Sequence, residues 1–278
     1  MLWVAPASDP SQAIPLREGA AREDGMWGVE WLPDGRLVYG IGDLSELWLA
    51  DHDGSHRQQL TQVGKTATNP SVSADGGTVV FARMDFSTRT TNIWAVDANG
   101  ENLRQITNGP TSKWRPELSP DGRWLVYACN GAYKLSFADG KATRLEPKWG
   151  GDPTISPDGR WIAFEAWDDH IEIVPAEEQG APRYLPFISE PQVPHPILDF
   201  PASFPLHWTA SSNAITYVRT RNGVSNLWLQ PLDGSPARQL THFSSLYIWQ
   251  HAWSRDGKYL VMARGNFSRD AVMLTDMR

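Results

Sequence analysis

The stretch SPDGRW stands at Ser119 to Trp124 and again at Ser156 to Trp161, each time opening a short apolar run, WLVYA from Trp124 and WIAFE from Trp161. Asp-Gly between two such segments is hairpin chemistry, because glycine supplies the positive φ that a tight turn between strands requires. Outward from these copies, the turn returns at Asp34-Gly35, Asp75-Gly76 and Asp256-Gly257, with Ser212-Asn213 replacing it once. The intervals are 41, 46, 37, 54 and 44 residues. RLVYG, TVVFA, AITYV and YLVMA follow from Arg36, Thr78, Ala214 and Tyr259. Runs this short are not helices, and their near-continuous apolarity marks strands buried on both faces.

The rest of the unit also repeats. A third strand bears Leu47-Trp48, Ile93-Trp94 and Leu227-Trp228, weakens to Tyr133-Lys134 and Ile171-Glu172, and is foreshadowed by Leu2-Trp3. Turns then end at Gly54, Gly100, Gly140, Gly180 and Gly234, and fourth strands at Leu60-Thr61, Ile106-Thr107, Leu145-Glu146, Leu185-Pro186 and Leu240-Thr241. A four-strand unit at this period predicts an all-β fold, a six-bladed β-propeller of four-stranded antiparallel blades with very little helix.

One propeller domain is expected over 1–278. In its sixth unit Trp253, Tyr259 to Ala263 and Ala271 to Thr275 supply three strands, and Gln12 to Leu16 supplies the fourth, so an N-terminal strand closes the last blade. Leu2 to Ala5 finds no vacancy in that scheme, and the alternative is seven blades, one of them partial. A start on half a unit also implies a fragment of a larger multidomain protein.

Composition narrows the function. A formal net charge of -7 speaks against a phosphate-binding surface, so no nucleic-acid partner is expected. There is no run of about 18 apolar residues, and MLWVAPASDP lacks a basic segment leading into a long apolar one, so no direct membrane contact is expected. Cys129 stands alone, which excludes an internal disulfide and a cysteine-based metal cage. G-x-S-x-G, H-E-x-x-H and a P-loop are all missing. DHDG at Asp51 lacks the twelfth-position Glu of a calcium loop and reads as a hairpin turn, and GIGDLS at Gly40 opens no helix. No catalytic residue, metal or cofactor is assigned.

Both SPDGRW copies, NIWAVDANG from Asn92 and NLWLQPLDG from Asn226 resemble the TolB-type, WD-like repeat family of bacterial propellers across nearly the whole chain. More narrowly, GVSNLWLQPLDG from Gly223, WSRDGKYLVMARG from Trp253 and the ending DAVMLTDMR resemble the C-terminal propellers of bacterial serine/threonine kinases and winged-helix regulators. The resemblance implies a non-enzymatic sensory or protein-interaction module on the extracytoplasmic side of a membrane-anchored parent. Departures at Ser212-Asn213, Lys134, Glu172 and the Pro-rich loop lead us to expect irregular third to fifth blades.

Aligning the first strands puts Trp27, Trp114, Phe204 and Trp249 in one column, with Trp149 beside it, and Gly28, Asn69, Arg115, Asp152, Pro205 and Gln250 in the next. Such columns meet at one end of a propeller's channel. Aromatic faces beside polar groups suit a protein, peptide or small-molecule ligand, and the competing reading is that the rings wedge blade against blade. His207 and His251 precede adjacent first strands and are expected to approach each other at the channel mouth, where His207 joins the expected ligand-binding residues; with a third ligand the pair would suit a metal-dependent lyase. That is one enzymatic alternative, the other being the cap of a prolyl oligopeptidase-type hydrolase. The insertion from Ser189 to Phe204 is stiffened by proline and is expected beside the mouth. A monomer is expected.

Overall fold

The computed structural model describes residues 1–16, 24–41, 46–62, 64, 66–145, 150–166, 170–177, 180–186 and 206–266. The Ser189 to Phe204 insertion and Ala271 to Thr275 lie outside them. The described residues form six four-stranded antiparallel sheets arranged as the blades of a propeller, and their only helical element is one short 3-10 turn, Pro10–Gln12.

Blade 2 shows the plan: Ala67–Val72 on the axis, then Thr78–Asp85, Thr90–Asp97 and, outermost, Arg104–Gln105. The inner strands of the other blades are Val29–Trp31, Trp114–Leu118, Gly150–Ile155, His207–Trp208 and Tyr247–Trp253. Second strands are buried on both faces as their composition requires: Val79, Val80, Phe81 and Ala82 are all at or below 1% exposure. The third to fifth blades are as complete as the rest, which corrects the expected irregularity.

Closure of the ring differs from the sequence scheme in one strand. Leu2–Pro6 pairs with Tyr259–Gly265, Val4 facing Val261, and Ile14–Pro15 pairs in turn with Leu2–Pro6. The N-terminal segment therefore supplies both outer strands of blade 6. Leu2–Pro6 fills the third place that had been assigned to Ala271 to Thr275, and no partial seventh blade is needed. Leu2 (3%), Val4 (9%) and Ala5 (0%) are buried there, and that apolar burial stabilises the pairing.

The repeated polar residues are turn and edge chemistry. In each SPDGRW copy the serine hydroxyl donates to the aspartate (Ser119 Oγ to Asp121 Oδ1, 2.7 Å; Ser156 Oγ to Asp158 Oδ1, 2.6 Å) and accepts from the tryptophan N–H. The threonines that end fourth strands accept a third-strand N–H: Leu47 to Thr61, Ile93 to Thr107, Leu227 to Thr241, at 2.9 to 3.0 Å. The weakened third strand at Lys134 also has a cause. In blades 2 and 5 an arginine of the second strand lies over the third-strand tryptophan (Arg83 on Trp94, Arg219 on Trp228), whereas in blade 3 the roles exchange and Lys134 lies 4.4 Å from the ring of Trp124. Its ammonium also donates to Ala176 O at 2.6 Å, tying blade 3 to blade 4.

Candidate functional site at the central tunnel

The inner strands do not run straight. Their pairing slips between Thr68 and Ser71, Trp114 and Glu117, Gly151 and Thr154, and Ile248 and Gln250. At the first three slips Asn69, Arg115 and Asp152 take left-handed φ of 51°, 49° and 50°. A bulge inserts an unpaired residue and re-aims its side chain, here toward the axis. Gly28 holds the same place in blade 1, and only glycine fits, because a Cβ there would lie 2.5 Å from Pro70 Cδ.

These residues form a waist. Gly28, Asn69, Arg115, Asp152, His207 and Gln250 line a cavity of 60 Å³, and Arg115 Nε meets Asp152 Oδ1 at 3.0 Å across the seam between blades 3 and 4. Toward the Asp-Gly turns the tunnel widens to 420 Å³, and Glu30, Ser71, Glu117, Thr154 and His207 line both parts. They stand two residues beyond the bulge in each blade, or at the equivalent position.

A ring of hydrogen bonds between neighbouring blades holds the tunnel. Asn69 N donates to Trp27 O (2.7 Å), Leu118 N to Ser71 Oγ (3.1 Å), Ile155 N to Glu117 Oε1 (3.0 Å) and Trp208 Nε1 to Thr154 O (3.3 Å). Trp253 Nε1 donates to Thr216 Oγ1 (3.0 Å) and Trp31 Nε1 to Ala252 O (3.0 Å), which completes the circle. One link skips a blade. Arg255 of blade 6 passes blade 1 and donates to Val72 O, Ser73 O and Ala74 O of blade 2 at 2.8 to 2.9 Å.

Burial sets the protonation of the lining. It pushes the Glu30 carboxyl up to about 7, against the pull of the Trp31 N–H and Arg255. Burial pushes Glu117 up to about 8, with Glu30 adding to the rise and the Ile155 N–H and Thr154 hydroxyl opposing it. His207 is pushed down to about 3 by burial and then by Arg115, so its ring is neutral at physiological pH. His251 is likewise held well below its ordinary value, by burial and by His207.

Of the residues picked from sequence, Asn69, Arg115, Asp152, His207 and Gln250 converge at the waist. The aromatic column divides. Trp114 leaves 38% of its surface exposed, Trp27 is half-buried, and Trp249 is 8% exposed, stacked on Tyr247 of its own strand at 5.1 Å and packed in one cluster with Val29, Trp31 and Tyr39 of blade 1. Trp149, Phe204 and Pro205 lie outside the described residues. His207 and His251 do approach, with ring centroids 4.5 Å apart, but His251 is fully enclosed and its Nε2 bonds Thr216 Oγ1 at 2.9 Å. Sequence alignment passed over Glu30, Glu117 and Arg255. The signal for Arg255 was present, since the place between Ser or Thr and the turn holds proline or alanine in four other blades at Pro120, Pro157, Ala74 and Ala210.

Known structures of low sequence identity share this fold. TolB from Agrobacterium tumefaciens superposes with a TM-score of 0.70 at 18% identity, over 94% of this chain and 96% of that one. The fold is that of the TolB-type propellers. TolB from Acinetobacter baumannii gives 0.65 at 16% identity, and this chain spans 62% of its length. An oligogalacturonate lyase from Vibrio parahaemolyticus gives 0.61 at 11% identity, over 90% of this chain and 80% of that one. No protein-family model and no curated protein matches the sequence. The TolB-type likeness therefore rests on shape, and among the described residues no helix is long and apolar enough to cross a membrane.

Proposed function

We propose that this propeller is a non-catalytic interaction module that binds a protein, peptide or small-molecule ligand at the tunnel mouth. The observation that supports it is the uncovered ring of Trp114, 38% exposed, beside the polar waist of Asn69, Arg115, Asp152 and Gln250. Large aromatic faces next to fixed polar groups are what interface hot spots are made of. Left-handed backbone at a non-glycine residue such as Arg115 carries a conformational cost of roughly 1 kcal/mol or more, and such residues gather at ligand clamps. A lyase using tunnel histidines is less well supported, because His251 is enclosed and engaged by Thr216 rather than presented with His207.

The test is selection of peptides from a displayed library on the purified chain, with every hit measured again on Trp114→Ala/Arg115→Ala. Loss of an aromatic anchor and a positioning cation weakens hits by roughly thirtyfold or more. Hits that bind the double variant with unchanged affinity would place recognition elsewhere.

A further inference from the structure

We propose that Asn108-Gly109 is a self-modifying site, at which the side-chain amide of Asn108 is lost as ammonia and a carboxylate takes its place beside Lys113. This goes beyond the mouth reading and does not depend on it, since the change is read by mass and not by binding.

The chain contains four Asn-Gly pairs, at Asn99, Asn108, Asn130 and Asn222. Glycine has no side chain to shield its backbone nitrogen, which opens each pair to attack by that nitrogen on the preceding side-chain amide. The fold separates the four. Asn108 and Gly109 are both exposed, and among the described residues the Asn108 amide makes no hydrogen bond and the Gly109 N–H donates to nothing. Asn99, by contrast, is held at both ends of its amide by Glu101, and Gly100 N donates to Asp97 O at 2.8 Å. Asn130 O accepts from Arg144 Nη2, but Gly131 is buried with that guanidinium packed against it. Asn222 sits at the tip of the Arg221 to Val224 hairpin, and among the described residues no cation reaches its carbonyl.

Lys113 is what favours reaction at Asn108. Its ammonium donates to Asn108 O (2.9 Å), Thr111 O (2.8 Å) and Asn92 Oδ1 (3.4 Å). The residue is 9% exposed and forms no ion pair among the described residues. Asn108 O belongs to the same peptide unit as Gly109 N. When that N–H gives its proton to solvent base, the charge therefore spreads onto an oxygen that already faces a fixed cation. A largely buried lysine held only by neutral oxygens also gains from a carboxylate on the residue it already touches, which favours the product.

The reaction needs only water. Gly109 N, stripped of its proton, bonds to Asn108 Cγ, the Cγ–Nδ2 bond breaks, and ammonia leaves with a proton returned by solvent, giving a five-membered succinimide. Water then opens the ring at Cγ to give aspartate, or at the backbone carbonyl to give isoaspartate. Nothing is oxidised or reduced.

Incubation of the full chain at mildly alkaline pH, sampled over time and read by peptide mapping with mass spectrometry, is the test, because all four pairs report in one sample. Asn108 should convert roughly tenfold faster than Asn99, Asn130 or Asn222, the factor that one charge-assisted bond formed in the reacting state supplies. In urea the four rates should draw together, since the difference comes from the fold. Lys113→Gln, which keeps a donor but no charge, should bring Asn108 down to the rate of Asn222, while Lys141→Gln, on an exposed outer turn, should leave it unchanged. The parent ranking stands on its own should Lys113→Gln fail to fold. Equal rates at the four pairs, a faster rate at any pair other than Asn108, a ranking that persists in urea, or an unchanged Asn108 rate in folded Lys113→Gln would overturn the proposal.

Discussion

Replacing Glu117 by Gln changes how stability depends on pH, and the sign follows from where the proton sits. Burial pushes this carboxyl from 4.5 up to about 8. The folded chain keeps its proton up to that pH, whereas the unfolded chain gives it up near the ordinary value, so the stabilisation is complete below 4.5 and lost as pH rises through 8. A gap of about 3.5 units at about 1.4 kcal/mol each sets a ceiling of about 5 kcal/mol. Water has access to the 420 Å³ cavity and Glu30 titrates in the same field, so about 2 kcal/mol is the expected share between pH 5 and pH 9. Gln keeps the shape and the acceptor for Ile155 N–H but carries no titratable proton, so the variant should lose less stability than the parent over that span. Below about pH 4.5 the two profiles should run alike, because Glu117 is protonated in both states there and the fall is set by shared groups such as His207, held at about 3, for which the unfolded chain binds more protons. Urea unfolding followed by tryptophan fluorescence at a series of pH values measures this directly. Parallel profiles for parent and variant between pH 6 and pH 9 would show that Glu117 does not carry a raised pKa and that the tunnel is better solvated than its geometry indicates.

Two further outcomes test the architecture. Leu2→Ala empties a buried position in the closing strand and should cost about 2 to 4 kcal/mol in urea unfolding, whereas a loss below about 0.5 kcal/mol would mean that the strand pair does not hold the ring shut. Arg255→Ala removes three bonds from an exposed guanidinium and should cost about 1 kcal/mol, with faster hydrogen exchange in the 73–77 turn; unchanged exchange there would show the strap to be a passive contact.

The blades were legible because each repeat carries its own local chemistry. Ser, Asp and Gly build the turn, the apolar run builds the doubly buried strand, and Thr61, Thr107 and Thr241 serve the same third-strand N–H. Closure was half legible. Gln12 to Leu16 ends like a fourth strand and Ile14–Pro15 is one, but spacing along the chain cannot say that Leu2–Pro6 completes a blade whose other strands lie at the opposite end of the sequence. The tunnel lining was harder still. A straight strand alternates its faces, and the bulge at Asn69, Arg115 and Asp152 resets that alternation, so the column two residues on, Glu30 and Glu117 included, was not aligned with them. Trp249 left both readings open for a related reason: its residue type suits recognition and wedging equally, and only its packing in three dimensions bears on the choice.

Joining the amino-terminal strand to the last described one sets the timing of folding during synthesis. Met1 N meets Arg264 O at a separation of 263 positions, so on the ribosome the first strand emerges long before its partner is translated. Until then Leu2–Pro6 and the free margin of the growing array are open to stray pairing with other chains, and the final seam, being the least local contact among the described residues, should be the slowest to form and the place where chaperone protection matters most.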